Sequence, residues 1–180
     1  WDYTLGSSSV EVAIFDTGID STHPDFAGNI LTGYDAVIDA YGVPKDSISF
    51  GHGTNCAGLI GAVTNNSLGI AGIAGGCRIR SYKVFTSTGS TTTIIQSRAF
   101  DTARVKGIHV ISCSWDANVS STLTTAINSC ATSGRGGLGA IIFFASGNEG
   151  QNVPAYPAYM PNVVGVGSST PFDQMKAPGT

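Results

Sequence analysis

His52 stands between Gly51 and Gly53, and a run of mostly small residues follows: Thr54, Cys56, Ala57, Gly58, Gly61 and Ala62. An imidazole is the side chain best suited to moving protons near neutral pH. It works as a base when a partner fixes which ring nitrogen carries the hydrogen. Such a partner stands upstream in Asp16, the acid that closes the apolar run Val12-Ala13-Ile14-Phe15. A lone histidine is read first as a satisfied core or surface residue. The pairing with an acid at a strand end turns the reading toward an oriented base. A further polar residue, Asn148, follows the apolar stretch from Ala140 to Ser146. Taken alone, Gly147-Asn148 is ordinary turn chemistry.

The elements that must position these groups alternate strand and helix, which implies an α/β fold with a mainly parallel sheet. Strands are expected over Glu11 to Asp16, Gly33 to Val37, Arg78 to Phe85, His109 to Trp115, Ala140 to Ser146 and Val163 to Ser168. Helices are expected from His52 to Val63, from Thr92 to Lys106 and from Ser121 to Thr132. Ile95, Ala99 and Ala103 share one face of the second helix, and Leu123, Ala126, Ile127 and Cys130 one face of the third. The small residues after His52 suit a helix packed close to the sheet. Sites in open α/β sheets form beyond the carboxyl ends of strands. Asp16, Trp115 and Asn148 all fall at or just past such ends.

The 180 residues suit one domain with a sizeable core. Hydrophobic residues make up 42% and charged residues 12%, a globular composition. A net charge of −3, with Lys and Arg scattered, argues against nucleic acid as a partner. No apolar run is long enough for a membrane-spanning helix. The opening Trp1-Asp2-Tyr3-Thr4 has no basic start and no apolar run, as in a mature or excised segment. Cys56, Cys77, Cys113 and Cys130 allow two disulfides or none, and no C-x-x-C spacing marks a zinc or redox pair. For Cys113 and Cys130, buried thiols are read slightly ahead of a bridge. Gly134 to Gly139 fits G-x-G-x-x-G but follows a helix and precedes a strand, the reverse of a dinucleotide site. Asn65-Asn66-Ser67 and Asn118-Val119-Ser120 are glycosylation sequons by pattern only.

Asp16-Thr17-Gly18-Ile19-Asp20, His52-Gly53-Thr54-Asn55-Cys56-Ala57-Gly58 and Ala145-Ser146-Gly147-Asn148-Glu149-Gly150 resemble, in that order, the aspartate, histidine and oxyanion-asparagine motifs of the subtilisin-like serine proteases. The resemblance covers nearly the whole chain, and the ordered motifs are far more specific together than singly. It implies a three-layer α/β/α fold with a mainly parallel twisted sheet. It also implies an internal portion of a catalytic domain, incomplete at both ends. The implied chemistry is serine endopeptidase hydrolysis of polypeptides, with Asp16 and His52 as two members of a triad and the Asn148 amide as oxyanion donor. The order Asp…His…Ser is that of subtilisin itself. The Gly-Thr-Ser-Met-Ala-like motif that carries the family's serine does not occur in this sequence. Ala177-Pro178-Gly179 resembles the segment that precedes it. The alternative is a non-catalytic relative that binds extended peptides in the same cleft.

The resemblance also implies two substrate edges, Gly89-Ser90-Thr91 and Ser114-Trp115-Asp116, whose backbone would pair with an extended peptide. Asp116 stands where the family has glycine. For Trp115, plain core or rim packing weighs equally. A structural calcium ion is implied as cofactor, held by the Asp25 and Asn66 side chains and the carbonyls of Thr64, Leu68 and Ile70. Oxygen-only ligation of that kind suits calcium, and the plainer reading is an ordinary polar turn. Cys56 lies where some members carry an unpaired cysteine. Secretion and a monomeric state are the remaining expectations.

Overall fold

The computed structural model describes residues 3–46, 51–172 and 174. Trp1, Phe50 and the Ala177-Pro178-Gly179 segment lie outside the described residues. The strands are β1 (Glu11–Asp16), β2 (Ile30–Asp35), β3 (Ala40–Gly42), β4 (Arg78–Lys83), β5 (Val110–Cys113), β6 (Ile141–Ala145) and β7 (Val164–Val166). The helices are α1 (His52–Gly61), α2 (Thr93–Lys106) and α3 (Ser121–Ser133). Short 3-10 turns cover Pro24–Phe26 and Arg135–Gly137.

The strands form one sheet in the order β3-β2-β4-β1-β5-β6-β7. All described pairings are parallel except β2 with β3. β1 is a central strand between β4 and β5, and packing on both faces of the sheet buries its side chains, so they read as a continuous apolar run. Alternation sorts them. Val12 and Ile14 join Ile79, Phe26 and Ala57 on the α1 side. Ala13 and Phe15 join Tyr82, Phe100, Ile111, Leu123 and Phe144 on the side of α2 and α3. The Phe15 ring sits 4.9 Å from Tyr82 and 4.8 Å from Phe100, centroid to centroid. The result is the expected three-layer α/β/α arrangement around a mainly parallel sheet.

The helices start and stop on local chemistry. Thr92 accepts from the Ile95 amide at the start of α2, and Gly107, at φ 76°, closes its end. Ser120 caps α3 through the Leu123 amide. The stripe Leu123, Ala126, Ile127, Cys130 is buried as its spacing predicts. At about 1.5–3 kcal/mol for each large aliphatic side chain, Leu123 and Ile127 account for most of what α3 gains by docking.

The differences from the sequence reading are local. The strand expected over Gly33 to Val37 begins earlier, at Ile30, and is followed by the β3 return strand, too short to show a periodicity. α1 ends at Gly61, and Ala62 is already extended at ψ 142°. The strands expected from Arg78, His109, Ala140 and Val163 are each trimmed at their ends. All four cysteines are free thiols, with Cys77, Cys113 and Cys130 buried. Among the described residues, no helix is long and apolar enough to cross a membrane.

Candidate active site

Asp16 ends β1 and is 1% exposed. Its position is set by the sheet, because the strand on either side is buried. His52 opens α1, and its side chain is about half exposed. The two meet directly: Nδ1 of His52 lies 2.7 Å from Oδ1 of Asp16. The same oxygen accepts from the Thr17 amide at 2.8 Å. A carboxylate in this place selects the tautomer with hydrogen on Nδ1 and leaves Nε2 as the acceptor.

The seat of α1 on the strand end explains the glycine after the histidine. A Cβ on Gly53 would come within 2.2 Å of the Gly18 carbonyl oxygen and 3.0 Å of the Asp16 Cβ. The first turn of α1 has no cap of its own, since Gly51 has no side chain and sits at φ 57°. Its orphan N–H groups are met from other parts of the chain. Gly53 N–H donates to Thr17 Oγ1 at 3.0 Å, and Thr54 N–H donates to Asp46 Oδ2 at 3.2 Å. Asp46 also accepts from the Thr17 and Thr54 hydroxyls. Lys83, aligned with Asp16 on β4, is buried and donates to the Thr17 carbonyl. Burial lowers its pKa, against the pull of the Asp35, Asp46 and Asp16 carboxylates. Sequence reasoning missed Thr17, Asp46 and Lys83. The legible signal was a helix start without a capping residue, which demands caps from elsewhere.

Asn148 lies just past β6, at the same end of the sheet as Asp16, with β5 between their strands. It is exposed, and its backbone N–H is held by Glu149 at 2.9 Å. Ser114, Trp115 and Asp116 leave the end of β5. The Trp115 ring is a core group. Its Nε1–H donates to the Phe15 carbonyl at 2.6 Å, and the ring meets Phe144 edge-on at 4.9 Å. Any substrate contact at Trp115 therefore falls to its main chain. Asp116 is exposed at the rim. Gly89 and Ser90 belong to a turn closed on itself, with Thr86 N–H donating to the Ser90 carbonyl and Gly89 N–H to the Thr86 carbonyl. Thr91 follows directly, and its hydroxyl is buried without a partner.

The Cys56 thiol faces the same site, 3.9 Å from His52 Nδ1. Burial pushes its pKa up, the Ser114 hydroxyl draws it down, and the Asp16 carboxylate raises it further.

The loop expected to hold calcium folds over Asp25. Asn66 Nδ2 donates to one carboxylate oxygen at 2.8 Å and Ile70 N–H to the other at 2.9 Å. These donors, Asn66 first, hold the Asp25 carboxyl below its ordinary range. A Cβ on Gly69 would lie 2.3 Å from Oδ2, so the loop is cradled around this group. Leu68 N–H donates to Asn66 Oδ1 at 3.0 Å. Thr64 begins the same loop, just after Val63 N–H bonds the Asp25 carbonyl. The expected ligands are all oxygen donors, the kind calcium takes, whereas here Asn66 presents its amide nitrogen to Asp25 and its oxygen to Leu68 N–H.

Comparison with known proteins shows the family. The model of the subtilase family matches residues 7–178. Thermitase of Thermoactinomyces vulgaris is 39% identical over 174 residues, covering 96% of this chain and 59% of the relative. A thermophilic serine proteinase of Bacillus sp. (strain AK1) is 37% identical, covering 97% of this chain and 42% of the relative. Subtilisin Savinase of Lederbergia lenta is 39% identical, covering 92% of this chain and 57% of the relative. The chain thus spans about half the length of the curated relatives it matches.

Proposed function

The chain belongs to the subtilase family, and on that premise we propose that it is the Asp–His portion of a secreted serine endopeptidase that hydrolyses polypeptides. The observation that carries this reading is the 2.7 Å contact between the buried Asp16 and the half-exposed His52. With Asp16 on Nδ1, the ring accepts a nucleophile's proton at Nε2 and later returns it to the leaving amine. The Asn148 side-chain amide donates to the oxyanion of the tetrahedral intermediate. Loss of such a donor costs about 100- to 1,000-fold in turnover, a figure that comes from subtilisin.

The nucleophile comes from sequence beyond these residues, on an element that covers a bare part of the sheet. Ile141, Val164 and Val166 are 52%, 46% and 49% exposed. Their register with Phe143, Ala145 and Val110 puts them on the α1 side, opposite the Ile142 and Phe144 face. No described helix covers them. Leu59, one helical turn beyond Cys56 on α1, is also exposed. A helix lying on β6 and β7 beside α1 would bury these groups and bring one of its ends to His52.

An extended peptide would pair with the main chain of Gly89-Ser90-Thr91 on one side and Ser114-Trp115-Asp116 on the other. Calcium, where bound, would be held by Asp25, Asn66 and the carbonyls of Thr64, Leu68 and Ile70, tying the Pro24–Phe26 turn to the loop after α1. The test is peptide hydrolysis by this chain fused to the remaining half of thermitase. The reading expects cleavage that vanishes in Asp16→Asn and His52→Ala. Saturable peptide binding without hydrolysis would instead support the non-catalytic relative.

A further inference from the structure

The Asp16–His52 contact has a third member that base chemistry does not use. Cys56 lies one turn beyond His52 on α1. A carboxylate oxygen of Asp16, a ring nitrogen of His52 and the Cys56 sulfur all lie within 4.8 Å of one another. Among the described residues, no other group of His, Cys, Asp and Glu side chains converges in this way. The second carboxylate oxygen of Asp16, Oδ2, is buried and accepts no hydrogen bond. An anionic oxygen left dry without a donor is costly, and a cation held between Asp16, His52 and Cys56 would relieve that cost.

We propose that Asp16, His52 and Cys56 form a site for a thiophilic divalent cation of the zinc type, and that filling it switches His52 off as a base. A thiolate, an imidazole and a carboxylate are the ligands zinc takes, and a thiolate selects it over calcium or magnesium. Bonds of about 2.0–2.3 Å in a tetrahedron put ligand atoms about 3.3–3.7 Å apart. Nδ1 and Oδ1 now lie 2.7 Å apart, and Nδ1 and Sγ 3.9 Å. Side-chain shifts of about an ångström or less bring all three ligands into range. His52 is half exposed, so the ion has an entry path, and the fourth position is left to water.

The proton balance fixes the consequence. The ion takes Nδ1, so the ring hydrogen moves to Nε2. The Cys56 thiol loses its proton to solvent, and Asp16 binds as the carboxylate. One proton is released per ion, no electron moves, and the imidazole stays neutral with Nε2 now protonated. A ring in that state cannot accept a proton from a nucleophile. This last step rests on the proposed function, whereas the binding itself does not.

The experiment titrates the reduced 180-residue chain with Co2+ and follows the thiolate-to-cobalt charge-transfer absorption. The expected result is a saturable one-to-one band that Zn2+ displaces. The band should vanish in Cys56→Ser and weaken in His52→Ala by more than the about 10- to 100-fold that loss of an outer-shell partner costs. Both positions are partly exposed, and matching far-ultraviolet dichroism confirms that the variants fold. Nitrogen-15 NMR should show the His52 hydrogen leaving Nδ1 for Nε2 as Zn2+ binds. No band at millimolar Co2+, or an equal band in Cys56→Ser, overturns the site. Zn2+ binding with hydrogen retained on Nδ1 overturns the switch. Neither readout involves proteolysis, so failure here and failure of the proposed function are told apart.

Discussion

Gly53→Ala tests whether the seat of α1 on β1 positions the base. The added methyl would lie 2.2 Å from the Gly18 carbonyl oxygen, where carbon and oxygen normally stay about 3.3 Å or more apart. The neighbour is backbone at the end of a buried strand, so α1 must move away by about 1 Å. Added to the 2.7 Å Asp16–His52 contact, that displacement carries it to or past the limit of about 3.6 Å for a hydrogen bond. Overpacking of this kind costs about 1–3 kcal/mol. For a chain of this size each kcal/mol lowers Tm by about 2–4 °C, so a fall of about 2–12 °C is expected. The assay is thermal unfolding followed by circular dichroism, with NMR of the His52 ring in the same samples. Gly42→Ala is the control, because nothing lies within 4 Å of a Cβ there. A Gly53→Ala variant that melts with the parent and keeps its Nδ1 hydrogen bond would refute the argument.

Trp115→Phe removes a buried donor to the Phe15 carbonyl, and denaturant unfolding should show a loss of about 1–3 kcal/mol. The Glu11 carboxylate pairs through both oxygens with Arg80, and that hydrogen bond holds its pKa down. A depressed folded pKa means stability that is present above the unfolded value of about 4.3 and lost as pH falls through the folded value. The acid limb of a stability–pH curve should therefore flatten in Glu11→Gln, and an unchanged limb would contradict the pairing. Calcium should raise Tm by mass action and fail to do so in Asp25→Ala, with equal responses in both proteins counting against the Asp25 loop as the site.

What could be read from the sequence was what one segment determines. The apolar runs of β1 and β6 and the stripes of α2 and α3 show their burial in their own spacing. So Asp16, Trp115 and Asn148 could be assigned to the carboxyl ends of strands, and His52 to a helix start, before any coordinates. The parts that could not be read depend on meetings across the chain. For Trp115, a substrate edge and plain core or rim packing weighed equally, because its tie to the Phe15 carbonyl spans 100 residues. Asp46 caps a helix that begins six residues after it, and nothing in its neighbours marks it. The turn at Thr86 to Ser90 closes on its own main chain, a feature that composition does not reveal. Cys56 showed no metal spacing along the chain, and its partners converge only when α1 docks on β1.

The most direct measurement is the tautomer of His52 in this chain, read by nitrogen-15 NMR in metal-free buffer at a pH where the ring is neutral. The account predicts hydrogen on Nδ1, bonded to Asp16, with Nε2 bare, and loss of that preference in Asp16→Ala. Hydrogen on Nε2 would contradict it, because a ring so protonated has no lone pair to offer a nucleophile.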